Sequence, residues 1–186
     1  MKAKISTLVA AAIFATACAG SSKAQTPEEA VMFMIFGIRD KDNSKAGKIK
    51  IEKVSDNPLV MDVKNTANGE EFAYTAISLS ITKEDDCRYL LDLNAKKLDK
   101  PLLDGKLWFD LSHLQTVEFN GTRTVQLKGA KVECVENRNN CRNFQESTKQ
   151  GYWESYLGPA DGDNRKHKQA LEETVANFKA NICKAQ

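Results

Sequence analysis

A chain of 186 residues, 41% hydrophobic and 28% charged, has enough apolar material for one domain with its own core, which excludes a disordered polyelectrolyte. Its 27 basic and 25 acidic side chains leave a formal net charge of +2. That near balance argues against nucleic-acid binding, which calls for clustered basic charge, and the spots "RNNCRNF" and "NRKHK" read as a solvated loop and a helix start.

The first predicted element is a targeting segment. Lys2 and Lys4 precede a short apolar stretch, residues 8–14, and the tail "ATACAGSSKA" follows, with no acid before Glu28. A basic start, a short apolar run and a small-residue end make a secretory signal peptide, and the run falls well below the ~20 residues that a bilayer span needs. Residues 1–24 are expected to be removed, and residues 25–186 to form a single α+β domain. Ser22-Lys23-Ala24 carries small residues at the positions a signal peptidase reads, which makes Gln25 the first mature residue. Ala17 and Ala19 are alternative cleavage points. Cleavage after Ala17 would leave Cys18 first, a pattern that resembles a bacterial lipoprotein box, although Ala15 stands where Leu is usual. Membrane attachment is expected only if Cys18 is lipidated. Loss of Lys2, Lys4 and Lys23 with no acid takes the net charge from +2 to −1.

"TPEEAVMFMIFGIRD" predicts a helix of about 11 residues, ~16 Å long. Thr26 serves as N-cap, Pro27 fits the first turn, Glu29 completes a capping box, and Glu28 and Glu29 complement the positive end of the helix dipole. Gly37 reads as the stop. The apolar residues of segment 31–38 run around the whole circumference, so this helix is covered on all sides, either inside its own domain or against another molecule.

From residue 48 to about residue 135 the period is 2, the signature of strands. "GKIKIEKV", "PLVMDVK", "EEFAYTAISLSIT", "CRYLLDL", "KLWFDL", "TVEF" and "TRTVQLKGAKVECV" give about seven strands. Asn68-Gly69, Asp104-Gly105 and Asn120-Gly121 read as hairpin turns, and Ser55-Asp56-Asn57-Pro58 as a fourth turn. Sequential hairpins predict an antiparallel β meander, as an open sheet or a half-open barrel, rather than βαβ units. Neither GxGxxG nor a P-loop occurs, which argues against a doubly wound nucleotide-binding fold.

"GYWESYLGPADGDNR" reads as a loop. Asp163 or Asn164 then caps a C-terminal amphipathic helix whose stripe is Leu171, Val175, Phe178 and Ile182. His167, among Arg165, Lys166 and Lys168, is expected to face solvent. Tyr152, Trp153 and Tyr156 in the loop, with Trp108 on a strand, form the candidate contact surface, because aromatic loop residues make good recognition anchors. The same residues would equally plug a core.

Five cysteines occur, and cleavage at Ala24 leaves four, an even count that suits disulfides in an exported chain. Cys134 and Cys141, close together in "CVENRNNC", are expected to pair locally, which leaves Cys87 for Cys183. Zinc would want CxxC-type spacing, and none is present, so no metal and no cofactor are expected. The acidic "DGDN" at residues 161–164 lacks the other ligands of an EF-hand loop. Asp110, Ser112 and His113 carry the residue types of a hydrolytic triad, but they are neighbours in sequence, whereas triads assemble from separate elements, and no GxSxG elbow occurs.

These readings lead to a small exported protein, periplasmic or secreted, stabilised by disulfides and without a catalytic constellation. It is expected to act as a binding or interaction module of the bacterial envelope, with a protein or small-molecule partner that the sequence does not identify. Two alternatives are a secreted hydrolase using Asp110, Ser112 and His113, and an envelope lipoprotein anchored through Cys18.

Overall fold

Helix α1 (Pro27–Phe36) forms because its first turn satisfies its own backbone donors. The Thr26 hydroxyl accepts from the Glu29 N–H at 3.2 Å, and a Glu29 carboxylate oxygen accepts from the Thr26 N–H at 3.0 Å. Gly37 ends the helix in the left-handed region at φ 66°, where its N–H donates to the Phe33 carbonyl. We expect Thr26→Ala to lower stability by about 1 kcal/mol in urea unfolding, because the Glu29 N–H loses the hydroxyl that accepts from it.

The computed structural model describes residues 25–42, 49–65, 76–97, 100–119, 125–136, 152–155 and 164–184. After α1 come β1 (Ile49–Asp56), β2 (Leu59–Asn65), β3 (Ala76–Lys83), β4 (Arg88–Lys97), β5 (Lys100–Asp110), β6 (Thr116–Phe119), β7 (Val125–Lys128), β8 (Lys131–Glu136) and β9 (Tyr152–Ser155). Helix α2 (Asn164–Asn177) continues into a π-helical turn, Phe178–Ile182. The protein is of the α+β class. Six strands form an open antiparallel sheet in the order β1-β2-β3-β4-β5-β8, and a smaller sheet runs β6-β7-β9.

The strand phases explain the core. Leu59, Met61 and Val63 on β2, Ile77, Leu79 and Ile81 on β3, and Tyr89, Leu91 and Leu93 on β4 all point to one buried face. Helix α1 covers that face against β3, and its other sides meet β7, β9 and α2. Every residue from Ala30 to Phe36 is buried, as is Ile38. The all-round apolar helix is therefore the centre of its own domain, and each large side chain there gains on the order of 1.5–3 kcal/mol from leaving water.

The sheets exchange strands at one corner. β5 passes through Leu111–Gln115 into β6, and β7 passes through Gly129 and Ala130 into β8. Gly129 has φ 86°, and a Cβ there would collide with the His113 carbonyl oxygen. The run "TRTVQLKGAKVECV", expected as one strand, is thus broken into β7 and β8, each in a different sheet.

Two further expectations are corrected. Asp104-Gly105 is no turn. It lies inside β5, paired with Asn94 and Leu93, while Lys97 pairs with Lys100. The inward phase of Gly105, Leu107 and Phe109 continues through the dipeptide, so sheet pairing overrides its local turn preference. The stretch 152–155, expected as loop, is β9, because pairing with β7 places Trp153 opposite Leu127 in the core. These strands bring the described count to nine rather than about seven. The Asn57-Pro58 turn stands where expected, with Asp56 paired to Leu59. Asn68-Gly69 and Asn120-Gly121 lie outside the described residues.

Cys87, in the bend before β4, is bonded to Cys183, just after the π-helical turn, with Cα atoms 4.7 Å apart. The tail is seated there by more than sulfur. The Cys87 carbonyl accepts from the Leu111 N–H at 2.9 Å, the Cys183 N–H donates to the Phe178 carbonyl at 2.8 Å, and Phe178 packs on Tyr89. Cys134, half-buried on β8, is disulfide-bonded as well. Its expected partner, Cys141, lies outside the described residues.

Candidate functional site

A cleft of about 600 Å³ opens between α1, the first two strands and α2. At its base lie Met32, Phe33 and Ile38 from the helix and its exit and Met61 from β2, all of them buried core residues. Its far wall is one face of α2, where Ala170, Glu173, Thr174 and Asn177 recur at helical spacing. The small Ala170 keeps that wall low.

The polar rim centres on Lys53. Ile49, Ile51 and Lys53 alternate on β1, so Lys53 continues the inward phase of the strand. Its ammonium lies 3.0 Å from a Glu29 oxygen and 2.6 Å from an Asp56 oxygen. Its backbone N–H donates to Asp40 Oδ1 at 2.9 Å, which ties the segment after α1 to the sheet. Hydrogen bonds to Asp56 and then Glu29 raise the Lys53 pKa above the ordinary lysine range, against the pull of burial. Lys53 is therefore an ammonium at neutral pH, unsuited to act as a nucleophilic amine or general base. Glu29 serves both the helix cap and this ion pair. Arg39 lies over the Phe33 ring, 4.6 Å from its centroid, with Nε 3.4 Å from Asp42.

Below the cleft lies His167, and here the structure corrects the sequence reading. His167 is buried, edge-on to Phe33 with centroids 5.0 Å apart. It stands four residues before Leu171, on the same stripe, and that spacing was the signal for its burial. Burial first, and then the Arg39 charge, lower its pKa from 6.5 to about 4. The unfolded chain therefore binds a proton at a pH where the folded chain does not. Stability from a neutral His167 is complete above about pH 6.5 and is lost as pH falls through about 4. Wild type should lose on the order of 3 kcal/mol more than His167→Leu between about pH 7 and about pH 4. Urea unfolding of both proteins across that range checks it, and parallel curves would refute it.

The sequence-predicted contact surface divides. Trp153 is a core residue: its Nε1–H donates to the Ile35 carbonyl at 3.2 Å, and its ring meets Phe109 edge-on at 4.9 Å and Phe36 at 6.3 Å. An indole whose N–H finds a buried carbonyl can sit wholly inside, and Trp153 is 2% exposed. Trp108 is half-buried and looks away from that core, with the Arg88 guanidinium 4.7 Å over its ring. The side chain of Tyr152 and the whole of Tyr156 lie outside the described residues, as does the "DGD" of residues 161–163.

Asp110, Ser112 and His113 do share one bend. The Asp110 carboxylate accepts from the Ser112 N–H at 2.9 Å. Burial pushes the Asp110 pKa up, but hydrogen bonds from the Ser112 side chain and backbone, aided by Lys131 and His113, outweigh it and hold it low. The carboxylate thus closes a turn on Ser112, whereas in a triad it would hold the imidazole. His113 is exposed. We expect His113→Ala to change esterase and amidase readings of the purified protein by less than the assay scatter.

The sequence reading missed the cleft. Glu29 was legible as a cap and not as a partner of Lys53, since 24 residues separate them. A lysine in the inward phase of β1 was the available clue. No family model, curated protein or solved structure matches the chain.

Proposed function

We propose that this chain is an exported, disulfide-stabilised binding protein of the bacterial envelope, periplasmic or secreted, which takes its ligand in the cleft beside Lys53 without transforming it. The cleft carries the reading: a concave site that gathers a few polar groups is the place where a small-molecule ligand is received. Its lysine is locked as a charged ion pair, so the site offers recognition without an activated nucleophile. Support for export comes from the basic, apolar and small-residue order of residues 1–24, and the Cys87–Cys183 bond is compatible with an oxidising compartment.

Expression of residues 1–186 in a bacterial host, followed by fractionation and intact-mass measurement, tests this. The expected product is found outside the cytoplasm, starts at Gln25, and has all four remaining cysteines blocked to alkylation unless reduced. A cytoplasmic product with an intact N-terminus and free thiols would overturn export. Added acyl mass on a chain starting at Cys18 would replace the free form with a lipid-anchored one.

A further inference from the structure

We infer that residues 39–42 are a guard on the outer edge of β1, and that the partner they hold off is β1 of a second copy of this chain. β1 is an outermost strand of the six-stranded sheet. Such a strand turns one set of backbone donors and acceptors away from its sheet, where a strand of another molecule can pair with them. Here the chain itself takes part of that set. The Ile51 carbonyl accepts from the Lys41 N–H at 3.1 Å, and the Lys53 N–H donates to Asp40 Oδ1 at 2.9 Å. The guard carries a strained residue to reach them: Lys41 stands at φ 65°, in the left-handed region that a lysine rarely adopts. Asp42 holds the turn, its carboxylate accepting from the Arg39 N–H at 3.0 Å.

The charge pattern of β1 selects the partner. Within the sheet Lys50 stands directly opposite Lys64, and Glu52 directly opposite Asp62, two like-charge pairs of the kind that weaken a sheet. Lys50, Glu52 and Lys64 are exposed. The guard bonds show that Ile51 and Lys53 turn backbone groups outward, and Ile49 shares their phase. A second β1 laid antiparallel about a two-fold axis at Ile51 would therefore bond Ile51 to its own copy and Ile49 to Lys53 of the second copy. Lys50 of each chain would then face Glu52 of the other, at the non-hydrogen-bonded positions where side chains approach most closely. Each like-charge pair gains an opposite charge on its open side. A two-fold axis at Lys50 or at Glu52 would set like against like, so the charges select one register.

Sedimentation velocity of the mature chain at low ionic strength tests the inference. Wild type should run as a monomer at micromolar concentrations. Asp40→Ala with Lys41→Pro removes both guard bonds, because proline has no N–H and cannot adopt φ 65°, and this variant should dimerise in the same range. Asp40→Ala alone changes one exposed side chain, keeps the fold, and should give the same dimer at about tenfold higher concentration. Adding Lys50→Glu to the double variant turns both cross-chain pairs repulsive and should weaken the dimer by about tenfold or more. Adding Glu52→Lys as well reverses both signs and should restore it. Guard variants that stay folded and monomeric would overturn the inference, as would a wild-type dimer of equal strength. A dimer that Lys50→Glu leaves unmoved would place the second copy away from β1 and overturn it too.

Discussion

Replacing Cys87 and Cys183 together by alanine should lower the unfolding free energy by about 4 kcal/mol. The bond spans a sequence separation of 96, so its absence returns a great deal of chain entropy to the unfolded state. It also releases the folded state locally, since Cys183 follows Phe178, whose ring packs on Tyr89, and Cys87 precedes β4. Cys183 is buried, so alanine there adds a small cavity cost to the entropic one. Urea unfolding of the oxidised protein against the double variant gives the number. Hydrogen exchange should show the loss first in the π-helical turn and the last turns of α2, before the centre of the large sheet. A stability loss below about 1 kcal/mol would mean that packing of Phe178 and Leu171 alone holds the tail.

Gly129→Ala should be nearly as damaging, at about 3 kcal/mol or more. Two penalties fall on one methyl group. Alanine is disfavoured at φ 86°, and its Cβ would collide with the His113 carbonyl, a backbone atom that cannot swing aside. The His113 peptide is itself held, because the neighbouring Gln115 N–H donates to the Lys128 carbonyl at 2.9 Å. Relief would require opening the corner where β7 leaves one sheet and β8 enters the other. Ala130→Gly serves as the control: it changes the adjacent residue, removes one methyl and creates no collision. It should cost much less than Gly129→Ala, and equal losses would show that the corner tolerates a side chain at position 129.

The cap at Thr26, the stop at Gly37, the phases of β1 to β4 and the stripe of α2 were all legible because each depends on residues within a turn or two of one another. The pairing of Cys87 with Cys183 followed from local closure of "CVENRNNC" and a small number of thiols. Asp104-Gly105 misled because a turn dipeptide states a local preference, whereas Leu93 and Asn94 on the neighbouring strand decide the matter. His167 misled because its charged neighbours were weighed above its place four residues before Leu171. The candidate site was the least legible part. Glu29, Lys53 and Glu173 come from three separate elements, and the one motif among them, the capping box of Glu29, says nothing of Lys53.

What the sequence by itself determined is the kind of element at most positions and the face each one buries, since hydrophobic period, capping and turn chemistry act over short distances. What only the tertiary structure decided is where those elements meet. The central place of α1, the corner at Gly129, the burial of Trp153 and His167, and the pairing of Lys53 with Glu29 all depend on contacts between distant segments. Such contacts are selected by packing and charge compensation once the chain has closed, and no short stretch of residues specifies them.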